Sequence, residues 1–348
     1  MEYTLPKGVF DILPQEAKEE DKWRTSHLWE YLETVMRATA HDYGFHEIRT
    51  PIFEKTELFA RGVGDNSDIV TKEMYTFLDR AERSMTLRPE GTAPAIRAFL
   101  EHRLYTKPGI HKYFYIGPMF RYERQQAGRY RQLHQFGAEA IGNDKPELDA
   151  EVIDMLCELY RRLGLNALEV QINSVGDTAS RSAFRAALTS FLRPRFDALS
   201  ADSKVRFDKN ILRILDSKDP QDQELLKGAP LLLDFLSPEA KSHFERVLFL
   251  LDTLKIPYKI NSQLVRGLDY YNKTVFEITS SSLGAHNALV GGGRYDGLTS
   301  TLGGPDLPAV GFATGMERIL QTLLALKVSL PRAPHPMLLL IPVGAGAA

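Results

Sequence analysis

The sequence predicts an α+β fold in which a mostly antiparallel mixed sheet is flanked by helices and interrupted by a helical insertion. Three observations lead there. Strand-like runs such as "KYFYIGPMFRYE" and "FGAEAIG" are joined by loops and long excursions, without the regular strand–helix alternation of a doubly wound parallel sheet. Residues 178–256 are rich in Leu and charge and poor in Gly, as a self-contained helical insertion would be. After them β-type sequence resumes in "YKINSQLVRGLDYYNKTVFEITS" and "NALVGGGRYDGL".

The elements follow in order. Leu28, Tyr31, Leu32, Val35 and Met36 recur at helical spacing, so residues 15–43 read as one long amphipathic helix stopped by Gly44. "FHEIRTP" reads as a strand closed by Pro51. "SMTLRPEGTAPAIRAFLEHRL" reads as a strand end, a turn and a helix that starts near Thr92, and residues 147–163 as another helix. "LVRGLDYYNKTVFEI" reads as a strand with Arg266, Asp269, Tyr270 and Tyr271 on its two faces. The last helix carries Met316, Ile319, Leu320, Leu323 and Leu324 on one face. The three prolines of "SLPRAPHP" mark 329–336 as a linker, and "MLLLIPVG" opens a further apolar strand. The expected organisation is a core over 1–328, the linker, and at 337–348 the start of a C-terminal domain that is not completed.

Composition narrows the function classes. A chain of 348 residues with 43% hydrophobic and 25% charged side chains can bury a large core. With 43 basic and 45 acidic residues the net charge of −2 does not announce a nucleic-acid binder, although a local basic face fits inside a neutral total. The one cysteine, Cys157, sits on the apolar stripe of a helix and reads as a small core residue; no Cys/His cluster has metal spacing. No run reaches membrane-spanning length and the N-terminus has no signal core, so the expected compartment is the cytoplasm.

Four stretches carry candidate chemistry. In "TLRPEGTAP" a carboxylate, Glu90, is held between Pro89 and Gly91, where it suits an ammonium group with the Thr92 hydroxyl as neighbour; a turn with Thr92 capping the next helix explains the same residues. "GPMFRYERQQAGRYRQLHQFGAEAIG" holds Arg121, Arg124, Arg129 and Arg131 with Glu123 and Glu139. Planar guanidinium forks suit a polyphosphate or a nucleic-acid backbone, and a solvated charged hairpin is the plain alternative. In the third stretch a permanent cation, Arg266, stands beside two phenols, Tyr270 and Tyr271, where a mixed edge strand would also do. The glycines of "LVGGGRYDGL" let backbone approach a ligand closely, and Arg318 of "AVGFATGMERIL" is either a ligand contact or a surface arginine.

Taken together these stretches resemble the histidyl-tRNA synthetases, a family of class II aminoacyl-tRNA synthetases. "IRTPIFEKTELFARGVGD" resembles motif 1 with Pro51 at its centre; the arginine-rich stretch resembles motif 2 with Arg121 as its arginine; "GFATGMERIL" resembles motif 3, with Arg318; "RGLDYY" and "GGGRYDGL" resemble the two histidine-specific motifs. Five motifs in order, from about Lys7 to about Leu326, make the resemblance specific. It implies a six- or seven-stranded antiparallel sheet, a homodimer built on motif 1, and a C-terminal anticodon-binding domain of which only the first strand is legible. It implies L-histidine, ATP with Mg2+, and tRNA(His) as partners, and no resident metal. Glu90, Gly91, Thr92 and Gln135 would receive the α-amino group, and Glu139 and Tyr271 the imidazole, with Tyr270 lining the pocket. Arg266 would span the histidine carboxylate and the ATP α-phosphate, faced by Arg121; Arg129 and Arg318 would lie near the β- and γ-phosphates and Glu123 near adenine. Leu133 stands where the family usually has an aromatic residue against adenine. A synthetase-like regulatory subunit of ATP phosphoribosyltransferase shares the fold and lacks the anticodon domain, but such paralogues tend to lose motif residues that are present here. A generic ATP-binding transferase would explain the arginines but not the tyrosines and glutamate.

Overall fold

The computed structural model describes residues 3–14, 18–64, 67, 69–122, 129–166, 168–217, 219–279 and 288–333. The expected domain start at 337–348 and the end of the linker lie outside them, as does Glu123.

The first elements form one flank. Residues expected to make one helix form a short 3-10 turn, Glu19–Arg24, and then α1, Ser26–Asp42. The break falls at Thr25, which is extended because Leu13 pairs with this segment: Leu13 N donates to Arg24 O and Ser26 N to Leu13 O, at 3.0 and 2.8 Å. Two short strands follow, β1 at His46–Glu47 and β2 at Phe53–Lys55, then α2 at Thr56–Val63, β3 at Tyr75–Leu78 and β4 at Ser84–Leu87. β2, β4 and β3 make a small antiparallel sheet. The expected strand at "FHEIRTP" is therefore reduced to two residues, with Ile48 N still donating to Phe114 O at 2.8 Å.

The main sheet begins after α3, Thr92–Glu101. β5, His111–Phe120, and β6, Gln132–Ile141, pair over their full length, and β6 extends the expected "FGAEAIG" strand towards its N-terminus. α4, Pro146–Arg162, has Pro at its first position, where no intrahelical donor is lost. β7, Glu169–Ser174, leads into the helices of the insertion: α5 at Thr178–Leu192, α6 at Ala201–Lys209, α7 at Pro220–Leu225 and α8 at Pro238–Thr253. Asp177 accepts from Ser180 N at 2.8 Å and caps α5. β8, Tyr258–Ile260, returns the chain to the sheet, followed by β9, Asn272–Thr279, β10, Ala288–Arg294, α9, Leu298–Thr301, β11, Ala309–Gly315, and α10, Met316–Ala325.

The sheet has eight strands in the order β1-β5-β6-β11-β10-β9-β7-β8. From β5 to β7 every pairing is antiparallel; the two short edge strands β1 and β8 are added in parallel, which is why it exceeds the expected six or seven. Alternation divides its faces. Phe114, Phe136, Ala138, Phe276 and Phe312 point into a core shared with Trp29, Leu32 and Met36 of α1, Ile153 and Leu156 of α4, and Ile319 and Leu323 of α10. Gln135, Gly137 and Glu139 lie on the opposite face, which α1, α4 and α10 leave open for the site.

One expectation fails here. Arg266, Asp269, Tyr270 and Tyr271 are not on a strand: residues 261–271 form an irregular loop between β8 and β9. Its polar groups are satisfied outside the sheet. Asn173 Nδ2 donates to Leu264 O at 3.0 Å, Asp269 N donates to Val63 O at 3.2 Å, and Asn261 Oδ1 accepts from Gln263 N at 3.1 Å. With those bonds made elsewhere, the apolar residues of the run pack without a ladder.

Candidate active site

The site grows from β6. Register sets Glu139 opposite Gly311 of β11, and a Cβ on that glycine would come within 1.9 Å of Glu139 Oε2. The fully buried carboxylate lies over bare backbone and collects three hydroxyls. Thr92 and Tyr115 donate to Oε1 at 2.7 and 3.1 Å, and Tyr295 donates to Oε2. Burial pushes the Glu139 carboxyl up to about 8; the Tyr295 and Thr92 hydroxyls pull the other way, and the nearby Glu90 charge adds to the rise. Tyr115 reaches it because its ring passes over two glycines: a Cβ on Gly91 or Gly137 would sit 2.1 or 2.3 Å from that ring. Tyr270 packs against Tyr271 and Tyr295, with ring centroids 4.7 and 5.4 Å apart, and closes the cluster.

Glu90 adjoins this cluster at the start of α3. Its two oxygens accept from Thr92 N at 2.7 Å and Ala93 N at 2.9 Å, so the carboxylate satisfies the first free donors of the helix. The capping role considered for Thr92 therefore belongs to Glu90, and the Thr92 hydroxyl points to Glu139. Burial raises the Glu90 carboxyl, opposed by those two backbone donors and by the Arg121 charge. Each oxygen keeps lone-pair capacity for one more donor.

A cavity of about 260 Å3 opens beside the cluster. Arg121, Arg129, Arg266 and Arg318 line it with Leu133, Gln135, Glu277 and Glu317. Each cation is held by its own neighbours. Arg121 Nε donates to Pro89 O at 2.8 Å, and Arg318 Nη1 to Ala288 O at 2.6 Å. Arg266 pairs with Glu277 of β9 and lies over Gly291, where a Cβ would meet its guanidinium at 1.9 Å. Glu317 is committed to His134, accepting from its backbone N at 2.7 Å and meeting Nδ1 at 2.9 Å. Gln135 Oε1 and Arg266 Nε are buried without a hydrogen-bond partner among the described residues, and both residues line the cavity. The unmet Arg266 Nε is a donor that an anionic ligand would satisfy, and the unmet Gln135 Oε1 an acceptor that an ammonium group would satisfy.

The sequence matches the family model for histidyl-tRNA synthetase over residues 8–319. The chain belongs to the histidyl-tRNA synthetase family. It is 57% identical over 344 residues to the histidine–tRNA ligase of Protochlamydia amoebophila, covering 99% of this chain and 81% of that protein. It is 52% identical over 340 residues to that of Chlamydia pneumoniae, covering 98% and 79%. Among solved structures, histidyl-tRNA synthetase from S. aureus superposes with a TM-score of 0.76 at 40% identity, covering 94% of this chain and 75% of that one. A protein described as an ATP phosphoribosyltransferase regulatory subunit/histidyl-tRNA synthetase from Bacillus halodurans shares the fold at 24% identity and a TM-score of 0.66, covering 93% and 84%.

For a member of the histidyl-tRNA synthetase family, the expected residues fall into two adjoining groups. Glu90, Gly91, Thr92, Glu139, Tyr270 and Tyr271 gather in and around the enclosed cluster, and Arg121, Arg129, Arg266 and Arg318 line the cavity with Gln135. Sequence reasoning missed Tyr115 and Tyr295, two of the three hydroxyls on Glu139, and Glu277, the partner of Arg266. Tyr295 was within reach, since it follows the glycines of "GGGRYDGL"; Glu277 and Tyr115 gave no signal beyond strand alternation.

Proposed function

We propose that this chain activates L-histidine with ATP to histidyl-adenylate and pyrophosphate, then transfers histidine to the 3′ end of tRNA(His). The observation that carries the reading is that one face of β6 carries both Glu139, within a buried carboxylate–phenol cluster, and Gln135, on the wall of a cavity lined by four arginines. Glu139 and the phenols around it would hold the imidazole, and Glu90 and Gln135 the α-amino group. An apolar amino acid would leave those buried polar groups unpaired and be rejected. The carboxylate oxygen attacks the α-phosphorus, a new O–P bond forms, and the bond to the β-phosphate oxygen breaks as pyrophosphate leaves with its electron pair. Charge grows on the non-bridging oxygens, where Arg266 and Arg121 stabilise it and Arg129 and Arg318 draw off the pyrophosphate charge. In the second step a ribose hydroxyl of the tRNA end attacks the carbonyl carbon and AMP departs.

The chain's own donors fit a Mg2+ ion that arrives on the nucleotide, because magnesium is commonly held by phosphates and one or two carboxylates. Both carboxylates of the cavity wall have partners, Glu317 in His134 and Glu277 in Arg266, and Glu277 would share the ion by exchanging the Arg266 contact as the phosphate takes it. The ion would neutralise phosphate charge. Leu133 would give adenine an apolar contact. Residues 1–328 would act as the catalytic core, 337–348 would begin an anticodon-binding domain, and the reaction would run in the cytoplasm. A second copy would cover the small sheet, where Ile52, Phe53, Phe77 and Leu78 are exposed by 47, 52, 44 and 66%.

Histidine-dependent ATP–pyrophosphate exchange tests the reading. Exchange that needs histidine, ATP and Mg2+ together is expected; folded protein that gives none would favour a regulatory role for this fold.

A further inference from the structure

The loop at 261–271 carries Arg266, Tyr270 and Tyr271 to the site, yet lies outside the strands. Fixing a loop costs about 1–2 kcal/mol per residue in backbone entropy, so its position needs a source of order. Besides the Arg266–Glu277 pair with β9, three elements supply it. From β7, Asn173 Nδ2 donates to Leu264 O. From α2, Val63 O accepts from Asp269 N, and Leu268 packs with Phe59 and Val63. The remaining contacts come from the helical insertion. Arg213 donates to Gly267 O, and Arg181 Nη1 donates to Tyr271 O at 3.2 Å. Asn210 Nδ2 donates to Asp269 Oδ1 at 3.1 Å, and Arg213 Nε lies 3.6 Å from the same oxygen.

Asp269 is where these lines meet. Its carboxylate faces Gly64, Asn210 and Arg213, away from the arginines of the cavity and from the Glu139 hydroxyls. Its carboxylate is wedged at Gly64, where φ is +99° and a Cβ would come within 2.6 Å of Oδ2. No side chain fits at position 64 beside that carboxylate. Burial raises the Asp269 carboxyl, while Arg213, Asn210 and Arg181 favour its charge.

Building on the activity proposed above, we propose that Asp269 is a positioning residue: through Asn210 and Arg213 it makes the helical insertion a clamp that holds the Arg266–Tyr271 loop at the reaction centre. The insertion thereby belongs to the adenylate-forming machinery, two contacts removed from the phosphate. A misplacement of about 1 Å in a group such as Arg266 costs about 100-fold in rate.

The test compares the full chain with Asp269→Asn, Arg213→Gln, the double variant and Arg213→Lys. Each of the first two should lower kcat for pyrophosphate exchange about 10- to 100-fold, with KM for ATP within about twofold and an unchanged cooperative melt. The double variant should lose less than the two singles combined, because the Asp269–Arg213 contact is removed in both while Asn210 and Gly267 O are separate partners. Arg213→Lys, which keeps the charge but not the fork, should recover part of the rate. Hydrogen exchange over 264–271 should quicken in Asp269→Asn without any need for activity. Wild-type rates, additive losses, or losses that follow a lowered Tm would overturn the clamp. If the unaltered chain gives no exchange, the activity falls and hydrogen exchange alone decides: unchanged protection of the loop in Asp269→Asn overturns the clamp.

Discussion

Arg266 is the residue whose role the geometry makes most testable. It is held by Glu277 on one side and by the open space over Gly291 on the other, and its Nε has unmet capacity. Arg266→Gln should lower kcat for histidyl-adenylate formation by about 2–4 kcal/mol of transition-state stabilisation, with less effect on ATP binding. Lysine should rescue in part, since a point charge cannot reproduce a planar two-pronged bridge. Exchange kinetics separate these outcomes, and a wild-type rate in Arg266→Gln would make the arginine structural. Tyr295→Phe should act elsewhere: it strips a donor from Glu139, so the loss should appear mainly in KM for histidine. Glu139 also sets a pH signature. Its folded value, about 8, lies above the ordinary 4.5, so the native state holds a proton that the unfolded chain releases. That contribution to stability is complete below 4.5 and is lost as pH rises through about 8. Melting curves across this window should slope downward in the unaltered protein and flatten in Glu139→Gln; parallel slopes would refute the assignment.

Among elements, the pairing of β6 with β11 matters most, because register puts Glu139 over Gly311. Gly311→Ala would drive a methyl into the carboxylate, which has no room to move among three hydroxyls. It should abolish histidine-dependent exchange, whereas Gly297→Ala, where a Cβ meets nothing within 4 Å, should leave it near wild type. Equal activity of the two variants would show that the close approach is not needed. A second tie fixes β10 to α4. Arg294, fully buried, pairs with the equally buried Asp149 and donates to Asn143 O at 3.0 Å and Lys145 O at 3.2 Å. Burial alone would raise the Asp149 carboxyl, but the Arg294 charge and His243 hold it down at about 2. Arg294 directly precedes Tyr295, so the pair also anchors the phenol that reaches Glu139. Asp149→Asn leaves the buried guanidinium with Asp296, at 3.1 Å, as its remaining counter-charge and should cost about 3 kcal/mol in denaturant unfolding. A loss below about 1 kcal/mol would mean that Arg294 keeps its position through Asp296 and the carbonyls.

At the scale of the whole molecule, the small β2-β4-β3 sheet presents its apolar face outward, with the Phe53 and Phe77 rings 6.4 Å apart. Exposed aromatics on a short sheet call for a cover, and a second copy of the chain is the proposed one. Phe77→Glu should shift sedimentation equilibrium towards monomer and, because β4 leads directly to Glu90, weaken exchange with it. A variant of unchanged mass in solution would remove this face from the interface.

The sequence by itself determined which chemistry the chain can carry. Glu90, Arg121, Gln135, Arg266 and Arg318 announce themselves as polar residues in apolar or glycine-bearing runs, and motif order names the family without coordinates. Apolar spacing found α4 and α10, because each buries one face and must repeat with the helix turn, and composition found the helical character of the insertion. Only the tertiary structure decided what depends on a distant partner. Residues 15–43 break at Thr25 because Leu13 pairs there. The Arg266 segment is a loop because Asn173, Val63, Asn210 and Arg213 take its polar groups, and no local pattern records partners so distant in the chain. Tyr115 and Tyr295 belong to the site because Gly91, Gly137 and strand register let their hydroxyls converge on Glu139. Local sequence fixes a residue's chemistry and its local period; the direction in which that chemistry points is set by contacts between segments that meet only in the folded chain.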